Sequence, residues 1–472
     1  MRYSIYLKPH SVPSGYAPFS ANVILQHLKV VKYLRQNQLV TAFFPEKHVI
    51  KFEATNPGII THLKRQFGDD IACILSDAHG AGQYKRPSHQ QTPVTALIES
   101  GLTIPDDGGI TLYAIDGKQV SAREFIAATN SGPKPLTPMQ VAKAYNFPKP
   151  TADIKDKVIA IIELGGGFSS QHIMKYCKDL GIVSPRLYFH NIADGSNIPD
   201  GVDGADGEVS LDIDVVAAVA PGCKILVIFA PNTTNGFIDA IGSMSTYFFK
   251  PDAISISWGM PECDWDPNAR AAMDTAIQLC VSKGINFFAA AGDNGAGDGL
   301  DGHHVDYPAS SRFAIACGGT RLILNPDGTR RSEVVWNSDG ATGGGISDTG
   351  RKVPDIAGNA DPNSGYIVNI DGTDMAIGGT SAVAPLMAAL TAVLSSYLPV
   401  PPLLPVLYQH PEIFFDVTSG NNNGFDAMKG YDCCTGLGVP DGTKLLKVLQ
   451  NRTATPLQKV WNFLKQPVGK FL

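Results

Sequence analysis

The stretch GEVSLDIDVVAAVAPGCKILVIFA, residues 207–230, decides the fold of this chain. Its pattern predicts a helix that includes Asp214–Ala220, followed by the strand KILVIFA (224–230), which is a continuous run of apolar and β-branched residues. A strand without polar alternation is buried on both faces, and this is typical of a parallel sheet covered by helices. The stretch therefore predicts one helix–strand unit of an α/β domain.

The same pattern recurs on both sides of this unit. Further apolar runs are VIAIIEL (158–164), AISISW (253–258), INFFAAA (285–291) and FAIACGG (313–319). Helices are predicted over Ala271–Ser282 and, after a Gly-Gly turn, over Ser381–Leu398. Strands that alternate with helices indicate an α/β fold with a central parallel sheet flanked by helices.

Composition excludes several classes of protein. The chain has 472 residues, of which 44% are hydrophobic and 17% charged, so it can bury a large core. A net charge of −6 argues against a nucleic-acid binder. No apolar run reaches the roughly 18 residues of a membrane span. Eight cysteines do not make a disulfide scaffold in a chain of this length, and the adjacent Cys433 and Cys434 are interpreted as structural rather than as metal ligands.

Charge divides the chain into unequal parts. Residues 1–135 hold 14 Lys+Arg, 10 Asp+Glu and six of the 11 histidines, whereas residues 136–472 hold 24 Lys+Arg and 34 Asp+Glu. Residues 130–135, NSGPKP, have the composition of a linker. We therefore predict a small α+β unit over 1–134, with strands in RYSIYLK, LVTAFFP and HVIKFEA and a helix over Ser20–Gln36. The main domain is predicted over 135–450, and 451–472 is a tail that is either an amphipathic surface anchor or a docked helix.

The segment GGTSAVAPL (378–386) contains a candidate nucleophile. Ser381 follows two glycines and a threonine at the start of an apolar helix, where the helix dipole favours developing negative charge. A serine in this position can also be a simple helix cap. The G-T-S-x-x-x-P pattern, completed by Pro385, is similar to the nucleophile turn of subtilisin-like peptidases.

Acidic residues occupy the positions where a histidine general base for the serine would be expected. None of the five histidines after residue 135 lies in an HGT-type motif. Instead Glu208 and Asp212 are four residues apart on the predicted helix, so they share one face. Asp293 lies in the glycine-rich turn AAAGDNGAGDG (289–299) directly after a predicted strand. Taken singly, these acids could be a solvated first helical turn and an ordinary turn aspartate.

Together these features resemble the sedolisins, the serine-carboxyl peptidases, and within them the kumamolisin branch. The resemblance extends over about 300 residues, from PLTPMQVAKAYNFP (135–148) to TGLGVPDG (435–442). The motifs that carry it, besides the Glu208–Asp212 helix, AAGDNG (290–295) and GGTSAVAPL already quoted, are IAIIELGGGF (159–168), ISISWG (254–259), HVDYPAS (304–310), CGGTRL (317–322), ATGGGIS (341–347) and VPDIAGNADP (353–362). It implies a subtilisin-like catalytic domain preceded by a pro-domain, here residues 1–134.

The resemblance also implies roles for individual residues. Ser381 is then the nucleophile, Glu208 its general base and acid, and Asp212 the residue that orients Glu208, while Asp293 stabilises the oxyanion. A carboxyl can do this only when protonated, so activity in acid is expected. Glu163 and Trp258 would extend the proton network, or else be a strand-end acid and a core-edge aromatic. The candidate substrate-binding residues are Ser257, Gly259, Asp306, Gly343 and Gly344. Asp306 either favours a basic side chain of the substrate or is a buried structural aspartate.

A calcium site is predicted in FFDVTSGNNNGFDAMKGYDCCTGLG (414–438). Two acids frame a loop rich in Gly and Asn, and oxygen ligands of this kind suit Ca²⁺. By resemblance, Asp416 and Asp432 give side chains, and Val417, Met428 and Gly430 give carbonyls. Met428-Lys-Gly-Tyr-Asp432 replaces the family's usual G-x-G-W-D, and an Asx-turn loop without an ion is the alternative.

The resulting prediction is an acid-active, self-processing serine endopeptidase with one structural Ca²⁺. Its expected partners are protein or peptide substrates and its own pro-domain, and a monomer is expected. The alternatives are a tripeptidyl peptidase of the same family and a non-catalytic peptide-binding descendant; an esterase or lipase would need a G-x-S-x-G elbow, which is lacking. The family suggests secretion or an acidic compartment, although no ordinary signal peptide is visible at the amino terminus.

Overall fold

The computed structural model describes residues 134–201 and 204–453. Before residue 134 it describes Ile60, Leu63 and the backbone of short strands. These early strands are β1 (Arg2–Leu7), β2 (Val40–Phe44), β3 (Val49–Glu53), β4 (Ile71–Ser76), β5 (Thr92–Pro93), β6 (Tyr113–Ile115) and β7 (Lys118–Val120).

The later elements alternate strands and helices as expected. The helices are α1 (Pro138–Ala144), α2 (Ser170–Asp179), α3 (Asp206–Val219), α4 (Thr234–Met244), α5 (Pro267–Ser282), α6 (Val383–Ser395), α7 (Leu403–Gln409) and α8 (Gly442–Thr453). The strands are β8 (Val158–Glu163), β9 (Arg186–Asn191), β10 (Lys224–Phe229), β11 (Ala253–Ile256), β12 (Met260–Pro261), β13 (Asn286–Ala290), β14 (Asp306–Tyr307), β15 (Ile315–Leu324), β16 (Arg330–Val335), β17 (Gly345–Ile346), β18 (Lys352–Val353), β19 (Ile356–Asn359), β20 (Tyr366–Ile370), β21 (Thr373–Ile377), β22 (Phe414–Phe415) and β23 (Val439–Pro440).

One sheet organises the main domain. Its strand order is β16-β15-β13-β11-β8-β10-β9, and β19 pairs with β15. The strands from β9 to β15 run parallel, while β16 is antiparallel to β15. This confirms the predicted central parallel sheet. Strand β8 lies between β10 and β11 although it is the first strand of this sheet along the chain, so the strand order reverses there. Ligands of such sheets bind at the carboxyl ends of the strands near that point.

Two helices form the centre of the core. Every residue of α3 and every residue of α6 is buried, and the two helices pack against each other. Burial on all sides accounts for the long apolar runs of α6. Helix α3 differs, because it also carries the buried acids Asp206, Glu208, Asp212 and Asp214. Helix α3 begins eight residues earlier than the segment Asp214–Ala220 that the pattern predicted, and this extension includes Glu208 and Asp212.

Helix α6 begins two residues later than predicted. Residues Thr380–Ala382 form a separate 3₁₀ turn, and the α-helix starts at Val383. Gly379, with a φ of 115°, precedes this turn. A side chain is rarely tolerated at such an angle, so glycine is required where strand β21 ends and the turn begins.

The early strands form a small sheet with the order β2-β3-β1-β4, and all its pairings are antiparallel. Three of these strands lie where the sequence predicted them, and the predicted helix Ser20–Gln36 lies outside the described residues. Strand β4 lies against α5, and β5 pairs with β21. That this unit is a pro-domain stays a prediction. In the part of the chain that the structure describes, no helix is long and apolar enough to cross a bilayer.

Candidate active site

Ser381 lies in the short turn between β21 and α6, at the buried centre of the domain. Its side chain is fully buried, and within residues 134–201 and 204–453 no hydrogen-bond partner reaches its Oγ. Helix α3 also contacts this turn. Packing of α6 against α3 therefore brings the serine turn to the helix that carries the paired acids.

Glu208 and Asp212 are both fully buried on α3. Ser257, which directly follows β11, donates its hydroxyl to the Asp212 carboxylate at 3.0 Å from Oδ1 and 3.1 Å from Oδ2. The same Oγ lies 3.2 Å from the carbonyl oxygen of Ser381. Burial raises the pKa of Asp212 well above its usual range, the charges of Glu208 and Glu163 raise it further, and the hydrogen bond from Ser257 opposes both. Asp212 therefore tends to keep its proton.

Glu163 extends this acidic cluster on the neighbouring strand. It is the last residue of β8, and its carboxylate accepts a hydrogen bond of 2.9 Å from Trp258 Nε1. Burial raises the pKa of Glu163 well above its usual range, and the charge of Glu208 adds to this effect. Since β8 and β11 are adjacent, Glu163 and the Ser257–Trp258 pair meet at the carboxyl edge of the sheet. The charge of Glu208 thus acts on both Asp212 and Glu163.

Asp293 approaches the nucleophile turn from the end of β13. Its Oδ1 accepts two hydrogen bonds from Thr380, one from the backbone N–H at 2.8 Å and one from the hydroxyl at 2.7 Å. Thr380 Oγ1 also accepts from Gly292 N at 3.1 Å. Because both donors use Oδ1, a proton on the Asp293 carboxyl belongs on Oδ2. A carboxyl fixed in this way can donate a hydrogen bond in one direction only.

Comparison with known proteins identifies relatives of this chain. The subtilase family model matches residues 196–407. Kumamolisin from Bacillus sp. (strain MN-32) is 45% identical over 365 residues, which make up 69% of this chain and 66% of kumamolisin. Tripeptidyl-peptidase 1 from Dictyostelium discoideum is 28% identical over 56% of this chain and 50% of that protein.

A relative with a solved structure covers more of the chain. Sedolisin from Pseudomonas sp. (strain 101) is 25% identical over 94% of this chain and 81% of its own length. The structure of Pseudomonas sedolisin, a serine-carboxyl proteinase complexed with pseudo-iodotyrostatin, superposes with a TM-score of 0.63 at 25% identity and covers 68% of this chain and 100% of that one. The chain belongs to the sedolisin family of serine-carboxyl peptidases. It spans about two thirds of kumamolisin's length and half of that of the tripeptidyl-peptidase.

The predicted substrate-binding residues of this sedolisin-family chain surround the same edge of the sheet. Ser257 is there, and its buried hydroxyl contacts the Asp212 carboxylate and the Ser381 carbonyl. The backbone N–H of Gly343 donates to Gly292 O at 2.7 Å, beside Asp293. Gly344 lies against the carbonyl of Cys433.

Asp306 lies against Gly259 from the neighbouring strand. A Cβ at Gly259 would collide with Asp306 Oδ1, so glycine is needed for this close approach. Asp306 is buried, and its pKa is raised well above the usual range by burial and by the charges of Asp298 and Asp293. Both interpretations of Asp306, a specificity residue and a structural acid, agree with this placement.

The loop predicted to bind calcium brings its two acids to one end. Asp416 Oδ2 accepts from Gly430 N at 2.8 Å, while Asp416 Oδ1 is buried and meets no hydrogen-bond partner in the described residues. Asp432 accepts from the backbone N–H groups of Met428, Cys434 and Thr435. A buried carboxylate oxygen without a donor suits a cation, so the residues fit the ion. Residues 134–201 and 204–453 contain no cluster of three or more His, Cys, Asp or Glu that could hold a metal, but the predicted site needs only two acids.

Two supporting residues were missed by the sequence analysis. Thr380 holds Asp293 through two hydrogen bonds, and its position directly before Ser381 in Gly-Gly-Thr-Ser was the available signal. Asp206 anchors the start of α3, because its carboxylate accepts from Gly167 N and Gly201 N, both at 2.6 Å. Nothing in the local pattern distinguishes Asp206 from a solvated first-turn acid.

Proposed function

We propose that this chain is an acid-active serine endopeptidase that uses Ser381, Glu208, Asp212 and Asp293. The observation that carries the proposal is the position of the Ser257 hydroxyl, which contacts both the Asp212 carboxylate and the carbonyl of Ser381. This contact joins the acidic helix to the nucleophile turn inside a buried cluster. A binding module would have no need of buried acids beside a buried serine, since burying such groups is costly.

The chemistry assigned to this set is acyl transfer in two halves. Ser381 Oγ attacks the carbonyl carbon of the scissile peptide bond while Glu208 takes the hydroxyl proton. Protonated Asp293 donates a hydrogen bond to the oxygen that becomes negative. Glu208 then gives its proton to the leaving amine, the C–N bond breaks, and an ester on Ser381 is left. Water, deprotonated by Glu208, hydrolyses this ester and restores the serine.

The pH range follows from the state of the acids. Asp293 can donate only while it is protonated, so its ionisation ends activity on the alkaline side. The raised pKa values of Asp212 and Glu163 keep protons in the network beside Glu208. A proton held on these neighbours removes the charge repulsion that would otherwise raise the energy of ionised Glu208. The role of Asp293 and the protons held by Asp212 and Glu163 both therefore favour activity at acid pH.

The test is hydrolysis of a denatured protein by the purified chain between about pH 3 and 7, with Ser381→Ala as the control. Activity confined to acid and absent from Ser381→Ala supports the proposal. Lack of hydrolysis by the wild type at every pH would favour the non-catalytic alternative. Peptides with blocked and free amino termini separate the remaining alternatives, since a tripeptidyl peptidase requires the free end and an endopeptidase does not.

We also propose that one Ca²⁺ binds the loop between Asp416 and Asp432. The unpartnered Asp416 Oδ1 supports this, together with the carbonyls of Val417, Met428 and Gly430 as further oxygen ligands. The ion would supply positive charge that neutralises the two acids and fixes the loop against the sheet. Its contribution is to stability, because it binds the folded loop and not the unfolded chain.

Residues 1–134 are proposed to be a pro-domain released by cleavage near residues 131–136. Two contacts support this interpretation: strand β4 lies against α5, and β5 adds to the edge of β21, the strand that leads into the Ser381 turn. Opposite net charges of the two parts favour docking near neutrality. Acidification of the wild type should remove about 14 kDa of the 50.2 kDa chain, and Ser381→Ala should stay intact. An intact, fully active wild type at acid pH would exclude this processing.

A further inference from the structure

A cysteine and a histidine face each other at one end of the β12–β14 ladder. The register pairs Met260 with Tyr307 and Pro261 with Asp306. The pairing continues beyond the named strands, since Glu262 N donates to Val305 O at 2.8 Å. The next pair in this register is Cys263 and His304, and Cys263 Sγ lies 3.3 Å from His304 Nδ1. Cys263 is exposed, whereas the other cysteines of residues 134–453 whose burial is described are buried.

The tautomer of His304 is determined by its other ring nitrogen. His304 Nε2 lies 2.9 Å from the backbone carbonyl of Asp301, which can only accept a hydrogen bond. Nε2 therefore carries the proton, and in the neutral ring Nδ1 presents its lone pair to the thiol. Metal-binding histidines almost always donate their second N–H to a carbonyl or carboxylate in this way, which fixes the ring and strengthens the ligand.

The spacing of the two atoms fits a tetrahedral ion. Bonds of about 2.3 Å to sulfur and about 2.0–2.1 Å to nitrogen, at the tetrahedral angle, place the two ligand atoms about 3.5 Å apart. The observed separation is 3.3 Å, so an ion needs only a small adjustment of the side chains. Asp264 Oδ1 lies 3.9 Å from the same sulfur and adds negative charge on one side.

The backbone at Cys263 and the backbone at His304 are both held in place without an ion. Glu262, beside Cys263, forms an ion pair of 2.6 Å with Arg270, and Arg270 also binds Asp348 at 2.6 Å. The N–H of His304 donates to Ala296 O at 2.8 Å. The two ligands therefore do not have to be ordered when an ion binds, which lowers the entropic cost.

We propose that Cys263 and His304 form a binding site for a thiophilic divalent metal ion of the Zn²⁺ type. The described residues contain no cluster of three or more His, Cys, Asp or Glu able to hold a metal. The ion would therefore have Cys263 and His304 as its two protein ligands, and water would complete its tetrahedral shell. The site is distinct from the proposed calcium loop, whose ligands are oxygens. It does not depend on the proposed peptidase activity.

Titration of the reduced full-length chain with Cd²⁺ at neutral pH tests this site, with calcium in excess to fill oxygen-ligand sites. Cadmium bound to a thiolate gives an ultraviolet charge-transfer band, and the wild type should develop it with one equivalent. Cys263→Ser should abolish the band, and His304→Gln should weaken binding by about 10–100-fold. His303→Gln is the matched control, because its ring packs on Phe425 at 4.9 Å and does not face the thiol; binding should be unchanged.

Zn²⁺ gives a second readout that needs no chromophore. It should raise the melting temperature of the wild type and of His303→Gln, but not that of Cys263→Ser, because only a native site is stabilised by mass action. The proposal is overturned if the wild type shows no cadmium–thiolate band, if the band persists in Cys263→Ser, or if His304→Gln binds as tightly as the wild type. Any of these results would reduce the pair to an ordinary thiol–imidazole hydrogen bond.

Discussion

The acids around α3 and the acids of the C-terminal loop occupy opposite environments. Asp212 receives a hydrogen bond from the Ser257 hydroxyl and lies near two other acids in the core, and its pKa is raised. Asp432 instead receives three backbone N–H groups, and Asp416 receives one. The first environment favours the neutral acid, and the second supplies donors that a carboxylate needs. Aspartate is therefore suited to proton transfer in one place and to cation binding in the other.

This contrast shows why counting acids does not locate an active site. Desolvation and neighbouring like charges favour the neutral form of a carboxyl group, whereas backbone N–H groups satisfy its oxygens as hydrogen-bond acceptors. Glu163 and Asp212 belong to the first kind, because burial and the charge of Glu208 raise the pKa of each. The following predictions test each half of the contrast.

The largest effect is expected from removing the nucleophile that the α3 acids would serve. Ser381→Ala should reduce kcat by about a millionfold, and adding Glu208→Gln should cost little more, because members of such a set act as a unit. Steady-state hydrolysis of a denatured protein in acid measures this, and circular dichroism checks the fold. Additive losses in the double variant would show that Ser381 and Glu208 do not act together.

Substitutions of Asp293 are expected to lower kcat less than loss of Ser381, and to change the pH–rate profile. Asp293→Ala should lower kcat by about 10²–10³, the usual cost of one oxyanion donor. Asp293→Asn keeps a donor at any pH, so the alkaline limb of the pH–rate profile should move toward neutrality, while the acid limb set by the α3 side should stay. If the alkaline limb of Asp293→Asn coincides with that of the wild type, another group sets it.

The strands, the buried helices and the candidate catalytic residues could be predicted because each has a local signature. Strands such as Val158–Glu163 are continuous apolar runs, and Ser381 lies in a glycine turn before an apolar helix. Apolar pattern alone indicated only Asp214–Ala220 of α3, and its acidic first turns were assigned to the helix through the four-residue spacing of Glu208 and Asp212. Its burial comes from α6 and β20, which are more than a hundred residues away in sequence.

Contacts between distant segments could not be predicted from local pattern. The link from Ser257 to Asp212 and Ser381 joins three separate elements, and Cys263 meets His304 only through the register of β12 and β14. Such pairs depend on how strands align, and a shift of one residue would turn either side chain to the other face.

An intermediate effect is expected from the loop acids. Ca²⁺ at 100 times its Kd should add about 2.7 kcal/mol to the free energy of unfolding. Chelation should therefore lower the melting temperature by several degrees in a domain of this size. Asp416→Ala should make the melting temperature indifferent to chelator, whereas Asp306→Asn, at an acid outside the loop, should keep the wild-type response. Equal melting temperatures of the wild type in excess calcium and in excess chelator would exclude the ion.

The smallest effect is expected in how stability depends on pH. Because the pKa of Glu163 is raised, the native chain keeps a proton that the unfolded chain loses above about pH 4.3. This stabilisation is complete below the unfolded pKa and is lost as the pH rises through the folded pKa, at up to about 1.4 kcal/mol per pH unit. Glu163→Gln still accepts the Trp258 N–H but cannot ionise, so its free energy of unfolding should fall less between about pH 4 and 7. Urea unfolding in a Ser381→Ala background, which prevents self-digestion, measures how the free energy of unfolding changes with pH in both proteins.

Glu412→Gln is the control. That carboxyl is exposed and its pKa is lowered by the hydrogen bond to His410, so its removal should not reduce the fall of the unfolding free energy between about pH 4 and 7. Parallel curves for Glu163→Gln and its parent would mean that Glu163 is already ionised in the folded chain, and the contrast with the loop acids would then rest on Asp212 alone.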